Sequence, residues 1–203
     1  MFNLKTSIAL AALALAGTAH AAGPNLVADG TFDGSAGSFT TVGNGGTIGA
    51  WTVGGDSVDW IGSYWTPPVG QSIDLDGNNP GAVSQTLTGL AAGEYVVTFD
   101  LSGNPDGGDA TKMVDVSLGG SPAKLVTFTT NSSAGMTWST ETLAFTVGAG
   151  DQTLSFTSAD KSGPYGAAIA DVSVTAVPEP GNLALMMAGA MGLFGLTRRR
   201  GAR

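Results

Sequence analysis

The sequence contains no cysteine and a single histidine, His20, and its four arginines all lie between residues 198 and 203. Without cysteine, no disulfide braces the chain and no thiolate acts as nucleophile or metal ligand. Once His20 is set aside with the N-terminal segment described below, the body of the chain has no histidine. A Ser-His-Asp triad and the common histidine-based zinc sites are thereby excluded. Positive charge is also scarce. Residues 22–176 hold three basic side chains, Lys112, Lys124 and Lys161, against fifteen acidic ones. Nucleic acid demands a basic surface and is excluded as a partner class. An acidic surface keeps an exported protein in solution or attracts cations. Hydrolysis by a carboxylate pair survives these exclusions. However, the glutamates Glu94 and Glu141 stand in a hairpin region and a strand pattern with no catalytic context, so the expectation is a protein that is not an enzyme.

Long hydrophobic runs are confined to the two ends. After Met1-Phe2-Asn3-Leu4-Lys5 comes an Ala- and Leu-rich stretch from Ile8 to Gly17, then Thr18-Ala19-His20-Ala21-Ala22. The apolar run is about ten residues, against roughly 20 needed to span a bilayer, and Ala19 and Ala21 have the small-x-small spacing of a signal peptidase site. Residues 1–21 therefore read as a signal peptide cleaved after Ala21, with Ala22 as the alternative. The other end reads Val177-Pro178-Glu179-Pro180, an uncharged apolar segment Leu183–Leu196, and Arg198-Arg199-Arg200. As a transmembrane helix the segment covers about 21 Å of a hydrocarbon core about 30 Å thick, with the arginines on the cytoplasmic side. The order of tripeptide, apolar helix and basic tail resembles the PEP-CTERM sorting signal, over about the last 27 residues. That resemblance implies recognition by an exosortase and transient anchoring in the inner membrane. It further implies release to the surface or biofilm matrix of a Gram-negative bacterium that makes exopolysaccharide.

Between the ends lie residues 22–176, enough for one domain with a real core. Glycine is abundant, 32 of 203 residues, and Ser and Thr are common, as in short strands joined by tight turns. Period-two alternation is clearest in Tyr95–Leu101, where Tyr95, Val97, Phe99 and Leu101 share one face. In Ser57–Ile61, Val58 and Trp60 face one way and Asp59 and Ile61 the other. In Gln71–Leu75, Ile73 and Leu75 oppose Asp74. Further strands are expected at Asn25–Val27, Ser38–Val42, Trp51–Val53, Val83–Leu87, Met113–Leu118, Lys124–Thr129, Met136–Val147, Gln152–Ser158 and Ala168–Thr175. About ten or eleven short strands with tight turns make an all-β fold, an antiparallel β-sandwich of two packed sheets.

Several runs carry a second resemblance: Asn25-Leu26-Val27 with Gly30-Thr31-Phe32-Asp33; Ser57-Val58-Asp59-Trp60-Ile61; Ser72-Ile73-Asp74-Leu75-Asp76-Gly77; Phe99-Asp100-Leu101; and Lys112. They resemble the choice-of-anchor C family, related to DUF642 cell-wall proteins, over nearly the whole domain. The resemblance implies a galactose-binding-like jelly roll. It also implies a structural calcium ion that ties the first strand to the last through Asp33 and Asp171.

Candidate ligand contacts follow from chemistry. Tyr64 and Trp65, just before Pro67-Pro68, are the aromatic groups best suited to stack on a sugar ring, as a platform if exposed or a plug if buried. Asp74, Asp76 and Asn78, with Asn79, form an oxygen-rich cluster for a ligand or metal. It begins like an EF-hand loop but lacks the closing glutamate. Asp106 and Asp109 flank two glycines in a loop. Trp51, Trp60 and Trp138 read as structural. The function expected is a carbohydrate-binding or matrix-associated surface module; the alternative is a calcium-stabilised structural protein that binds no particular glycan. Polysaccharide, signal peptidase and exosortase are its expected partners.

Overall fold

The computed structural model describes residues 23–131 and 135–178. The expected signal peptide with Ala19 and Ala21, the sorting residues Glu179 and Pro180, the segment Leu183–Leu196 and Arg198–Arg200 lie outside the described residues. Alternating apolar and polar side chains give twelve strands: β1 (Phe39–Gly43), β2 (Thr47–Ile48), β3 (Trp51–Gly55), β4 (Ser57–Ile61), β5 (Ser72–Asp74), β6 (Gly81–Leu90), β7 (Gly93–Gly103), β8 (Thr111–Leu118), β9 (Lys124–Thr129), β10 (Ser139–Val147), β11 (Gly150–Ser158) and β12 (Ala167–Ala176). They form two six-stranded sheets, β1-β4-β5-β12-β7-β10 and β2-β3-β6-β11-β8-β9, with every pairing antiparallel. This is the expected β-sandwich.

The faces alternate as the pattern predicts. Tyr95, Val97, Phe99 and Leu101 of β7 point into the core, as do Val114, Val116 and Leu118 of β8 and Leu154 and Phe156 of β11. Phe99 meets Phe156 edge-on across the sheets, with ring centroids 5.0 Å apart. Trp51 is fully buried and Trp60 packs against the core, each donating its indole N–H to a carbonyl, of Asp29 and Phe32 respectively.

Two expectations are corrected, and β12 carries an irregularity of its own. Residues 25–27 are not a strand. Leu26 donates to the Val174 carbonyl at 2.9 Å, but the neighbouring contacts to β12 run through the Asn25 side chain, which accepts from Val174 and donates to Val172. An amide side chain replaces part of the ladder, so no regular pairing propagates. The strand expected from Met136 begins at Ser139 instead. Met136 and Trp138 fold over the outer face of the first sheet, held where the Ser102 hydroxyl donates to the Thr137 carbonyl. Finally, Asp171 is a bulge residue. Ala170 pairs with Asp100 and Ser173 with Thr98, so β12 carries one extra residue there, and Asp171 adopts φ 45°. Aspartate tolerates this left-handed conformation, and the bulge lets Ile169 and Val172 both reach the core.

The first segment is thus clasped to the last strand by hydrogen bonds, including Val172 N–H to the Gly30 carbonyl at 2.8 Å. A Cβ on residue 30 would lie 2.0 Å from the Val172 carbonyl oxygen. Gly30→Ala is therefore expected to cost about 2–3 kcal/mol in urea unfolding, whereas Gly120→Ala, whose Cβ would meet nothing within 4 Å, stays within about 0.5 kcal/mol of the parent.

Candidate functional site

The outer face of the first sheet is built from rungs of directly opposed residues. One rung runs Thr41, Asp59, Asp74, Ala168 and Ser102, from β1 through β4, β5 and β12 to β7. The next runs Phe39, Ile61, Ser72, Ala170 and Asp100. Adjacent strands are about 4.8 Å apart, so each rung is a near-continuous line of side chains. Small residues at the β5–β12–β7 centre let covering segments settle on the sheet. Ile61, Trp65 and Ala168 form a second apolar cluster there, with Met136 and Trp138 against it.

Beside this cluster lies a pocket of about 270 Å³. Asp59 and Thr41 form one wall, where the Thr41 hydroxyl donates to Asp59 Oδ1 at 2.5 Å. Burial pushes the Asp59 carboxyl above its ordinary pKa, and the Thr41 bond offsets part of the rise. Asn104 and Asp106 come from the exit of β7, and Asn78 from the turn after β5. The Tyr64 hydroxyl donates to Asp106 Oδ2 at 2.9 Å.

Asp74 anchors the floor. Its Oδ1 accepts from the N–H groups of Asp76 and Gly166, and its Oδ2 from the Asn104 amide at 2.7 Å. The Asn104 oxygen then accepts from Asp106 N–H, which fixes the loop carrying Asp106. Burial, reinforced by the neighbouring Asp76 and Asp59 carboxyls, outweighs these bonds and raises the Asp74 pKa to about 8.

The structure separates the two aromatic candidates. Tyr64 is 53% exposed on the rim, while Trp65 is 8% exposed and donates its indole N–H to Ser72 Oγ at 2.8 Å. Tyr64 is thus left open to solvent and Trp65 is packed in as a plug. The rings lie 5.6 Å apart, and Phe39 meets the other edge of Tyr64 at 5.6 Å. Phe39 and Tyr165 are also exposed on the lining.

Of the candidates in the oxygen-rich cluster, Asp74 and Asn78 line the pocket and Asp76 does not. β5 ends at Asp74, so the alternation that would have put Asp76 on the same face stops there. Asp76 is fully buried, and neither of its oxygens has a hydrogen-bond partner. Burial pushes its carboxyl to about 6; the Ser158 hydroxyl, off good hydrogen-bond geometry, and the Lys112 ammonium work against the shift. Asn79 is exposed and off the pocket, and Asp109 lines a separate depression with Lys161 and Ser162.

Asp33 and Asp171, which the resemblance assigns to a calcium clip, lie on the first segment and on β12. Both are exposed; Asp33 accepts the Thr31 hydroxyl, and Asp171 serves the bulge. Among the described residues, no three acidic, histidine or cysteine side chains converge on a metal position. Glu94 and Glu141 are no catalytic pair either. Glu141 is opposite Phe99 and Glu94 opposite Thr146, five residues apart along the β7–β10 ladder, or roughly 17 Å, against about 5–9.5 Å for glycosidase carboxylates.

Asp59, Thr41, Phe39, Asn104 and Tyr165 were missed as site residues in the sequence. Alternation put Asp59 opposite Trp60, which was the available signal. Nothing local announced that β4 and β5 would stand side by side.

The pKa shifts set a pH dependence. The unfolded chain releases the Asp74 proton near 3.8, while the folded chain holds it to about 8. Folding therefore takes up a proton in between, and this contribution to stability falls as pH rises from about 4 to about 8. Asp76 adds a similar fall that ends near 6. The melting temperature is expected to drop between pH 6 and 8, and Asp74→Asn to flatten that interval. A parent protein with a level profile there would refute the assignment.

Comparison with known proteins places the chain in a family. The chain is 35% identical over 183 residues to halomucin of Haloquadratum walsbyi, a match that covers 85% of this chain and 2% of halomucin. In outline the fold is similar to three solved carbohydrate-binding modules. The first is a family 35 module from Clostridium thermocellum (12% identity, 68% of this chain and 99% of the other, TM-score 0.47). The second is the CBM36-1 domain of a multidomain xylanase from the hindgut metagenome of Trinervitermes trinervoides (24%, 70% and 98%, 0.46). The third is TmCBM61 in complex with beta-1,4-galactotriose (17%, 76% and 99%, 0.43). At these values no residue correspondence follows. The family described as "Protein of unknown function (DUF642)" matches residues 25–175, nearly the whole sandwich, and the chain belongs to it.

Proposed function

We propose that this chain is a non-catalytic carbohydrate-binding module of an exported protein, and that a glycan occupies the pocket against Tyr64. One observation carries the reading: exposed aromatic rings stand over unspent hydrogen-bonding groups on the outer face of one sheet. An aromatic face suits the C–H face of a sugar, while carboxylates and amides meet its hydroxyls. Tyr64 supplies the face, and Asp59, Asp106 and Asn78 supply the polar contacts. The Asp74–Asn104 pair beneath them uses its hydrogen bonds internally and acts as scaffold.

The ends of the chain support a destination. A signal peptide cleaved after Ala21 and a tail built from Pro178-Glu179-Pro180, Leu183–Leu196 and Arg198–Arg200 fit export, transient inner-membrane anchoring and exosortase processing. The module then resides on the surface or in the extracellular matrix of a Gram-negative bacterium. Mass spectrometry of the mature termini tests this. Loss of Met1–Ala21 and of residues beyond Pro180 is expected, and recovery of Leu183–Leu196 in the mature form would sink the processing step.

A calcium-stabilised structural role is the second reading, favoured by one atom. Asp29 Oδ2 is buried without a hydrogen-bond partner, and the Asp33 carboxylate stands near enough to raise the Asp29 pKa further, after burial. A chelator should then lower the melting temperature.

For the main reading, retention on a polysaccharide array is the direct test. Tyr64→Ala is expected to weaken binding about tenfold, or about 1.4 kcal/mol, with little change in melting temperature. Failure of every polysaccharide to bind would end the proposal.

A further inference from the structure

The pocket's charge is one-sided. Its ionisable carboxyl groups are Asp59, Asp74 and Asp106, and no lysine or arginine lines it. The described lysines are engaged elsewhere. Lys112 is buried and donates to the Gly107 and Tyr165 carbonyls. Lys124 donates to the Ala144 carbonyl and lies over the Phe145 ring at 5.0 Å. Lys161 lines the separate depression with Asp109.

The two wall carboxylates are half-spent. Asp59 accepts the Thr41 hydroxyl through Oδ1, and no hydrogen bond from the described residues reaches Oδ2. Asp106 accepts the Tyr64 hydroxyl through Oδ2, and none reaches Oδ1. The vacant positions are therefore acceptors that carry negative charge. A ligand here must bring donors, and a cationic donor gains most. Charge-assisted hydrogen bonds are roughly twice as strong as neutral ones. The Tyr64 ring adds a cation–π surface worth about 0.5–1 kcal/mol at an exposed site. A uronate or sulfate would face like charge with no compensating cation.

Resting on the carbohydrate reading above, we infer that this pocket selects glycans bearing free amines, such as de-N-acetylated amino-sugar polymers, over neutral, N-acetylated or acidic ones. The amine sits between Asp59 and Asp106, with the sugar's apolar face on Tyr64. N-acetylation removes the charge and two of the ammonium's three donors, so it abolishes the preference while leaving ring size and linkage unchanged.

Calorimetry on the full chain at pH 6 tests this with four hexasaccharides: β-1,4-glucosamine, β-1,4-N-acetylglucosamine, cellohexaose and oligogalacturonate. The glucosamine hexamer is expected to bind at least tenfold tighter than the other three. Asp59→Asn and Asp106→Asn should each weaken it at least fivefold, with melting curves confirming a folded protein. Asp115→Asn, on the outer face of the other sheet, should leave it unchanged and serves as the control for attraction to net negative charge. Equal or tighter binding of the N-acetylated, neutral or acidic hexamer overturns the amine preference and leaves the carbohydrate reading standing. An equal loss in Asp115→Asn overturns the site. Binding of none of the four overturns the amine preference outright, and the wider polysaccharide array then decides the carbohydrate reading separately.

Discussion

One buried carboxyl group organises the functional face. Asp74 sits at the end of β5, where the chain leaves the sheet, and its two oxygens collect three hydrogen bonds from three segments. Asp76 N–H comes from the turn after β5, Gly166 N–H from the entry to β12, and the Asn104 amide from the exit of β7. The β5–β12–β7 ladder brings these turns side by side, and Asn104 N–H also donates to the Gly166 carbonyl. A polar group buried among them must be satisfied or it costs several kcal/mol, so each partner is held to a narrow geometry. Gly166 shows how tight the fit is, since a Cβ there would lie 2.7 Å from Asp74 Oδ1 and 2.6 Å from Asp76 Cγ.

From that point the pocket is assembled outward. Asn104, oriented by Asp74, fixes Asp106, and Asp106 accepts the Tyr64 hydroxyl. Lys112 does comparable work from beneath. Its ammonium, nearly free of solvent, holds the carbonyls of Gly107 and Tyr165 together and so positions the loops bearing Asp106 and the Tyr165 ring. The same charge lowers the cost of keeping Asp76 and Asp160 buried nearby. A chain without disulfides thus places its pocket-lining loops through a few buried polar groups, with the apolar core fixing the sheets under them.

The clasp between the first segment and β12 shows another economy. The resemblance to calcium-tied sandwiches put Asp33 and Asp171 at a metal. In the structure the two ends meet through backbone and Asn25 hydrogen bonds, a close approach that glycine at position 30 permits, and Asp171 provides the bulge that turns Val172 inward. Asp33 accepts the Thr31 hydroxyl beside this clasp.

Much of this was fixed by local rules that sequence carries openly. Side chains alternate along a strand, so Tyr95, Val97, Phe99 and Leu101 had to share one face, and Asp59 and Asp74 had to oppose the core-facing Trp60 and Ile73. Turn chemistry and the lack of helical periodicity gave the sandwich class. The absence of histidine and cysteine from the body of the chain removed histidine-based triads, thiolate nucleophiles and histidine-based zinc sites from its repertoire. Strand adjacency was decided by tertiary structure alone, because pairing between β5 and β12 or β4 and β5 depends on long-range packing that no local pattern encodes. That adjacency aligned Thr41, Asp59 and Asp74 on one rung, sent Asp76 inward once β5 ended, and split Tyr64 from Trp65. Two neighbouring aromatics in one loop look alike in sequence; only the sheet beneath them determines which ring finds a hydrogen-bond partner at Ser72 and which is left facing the pocket.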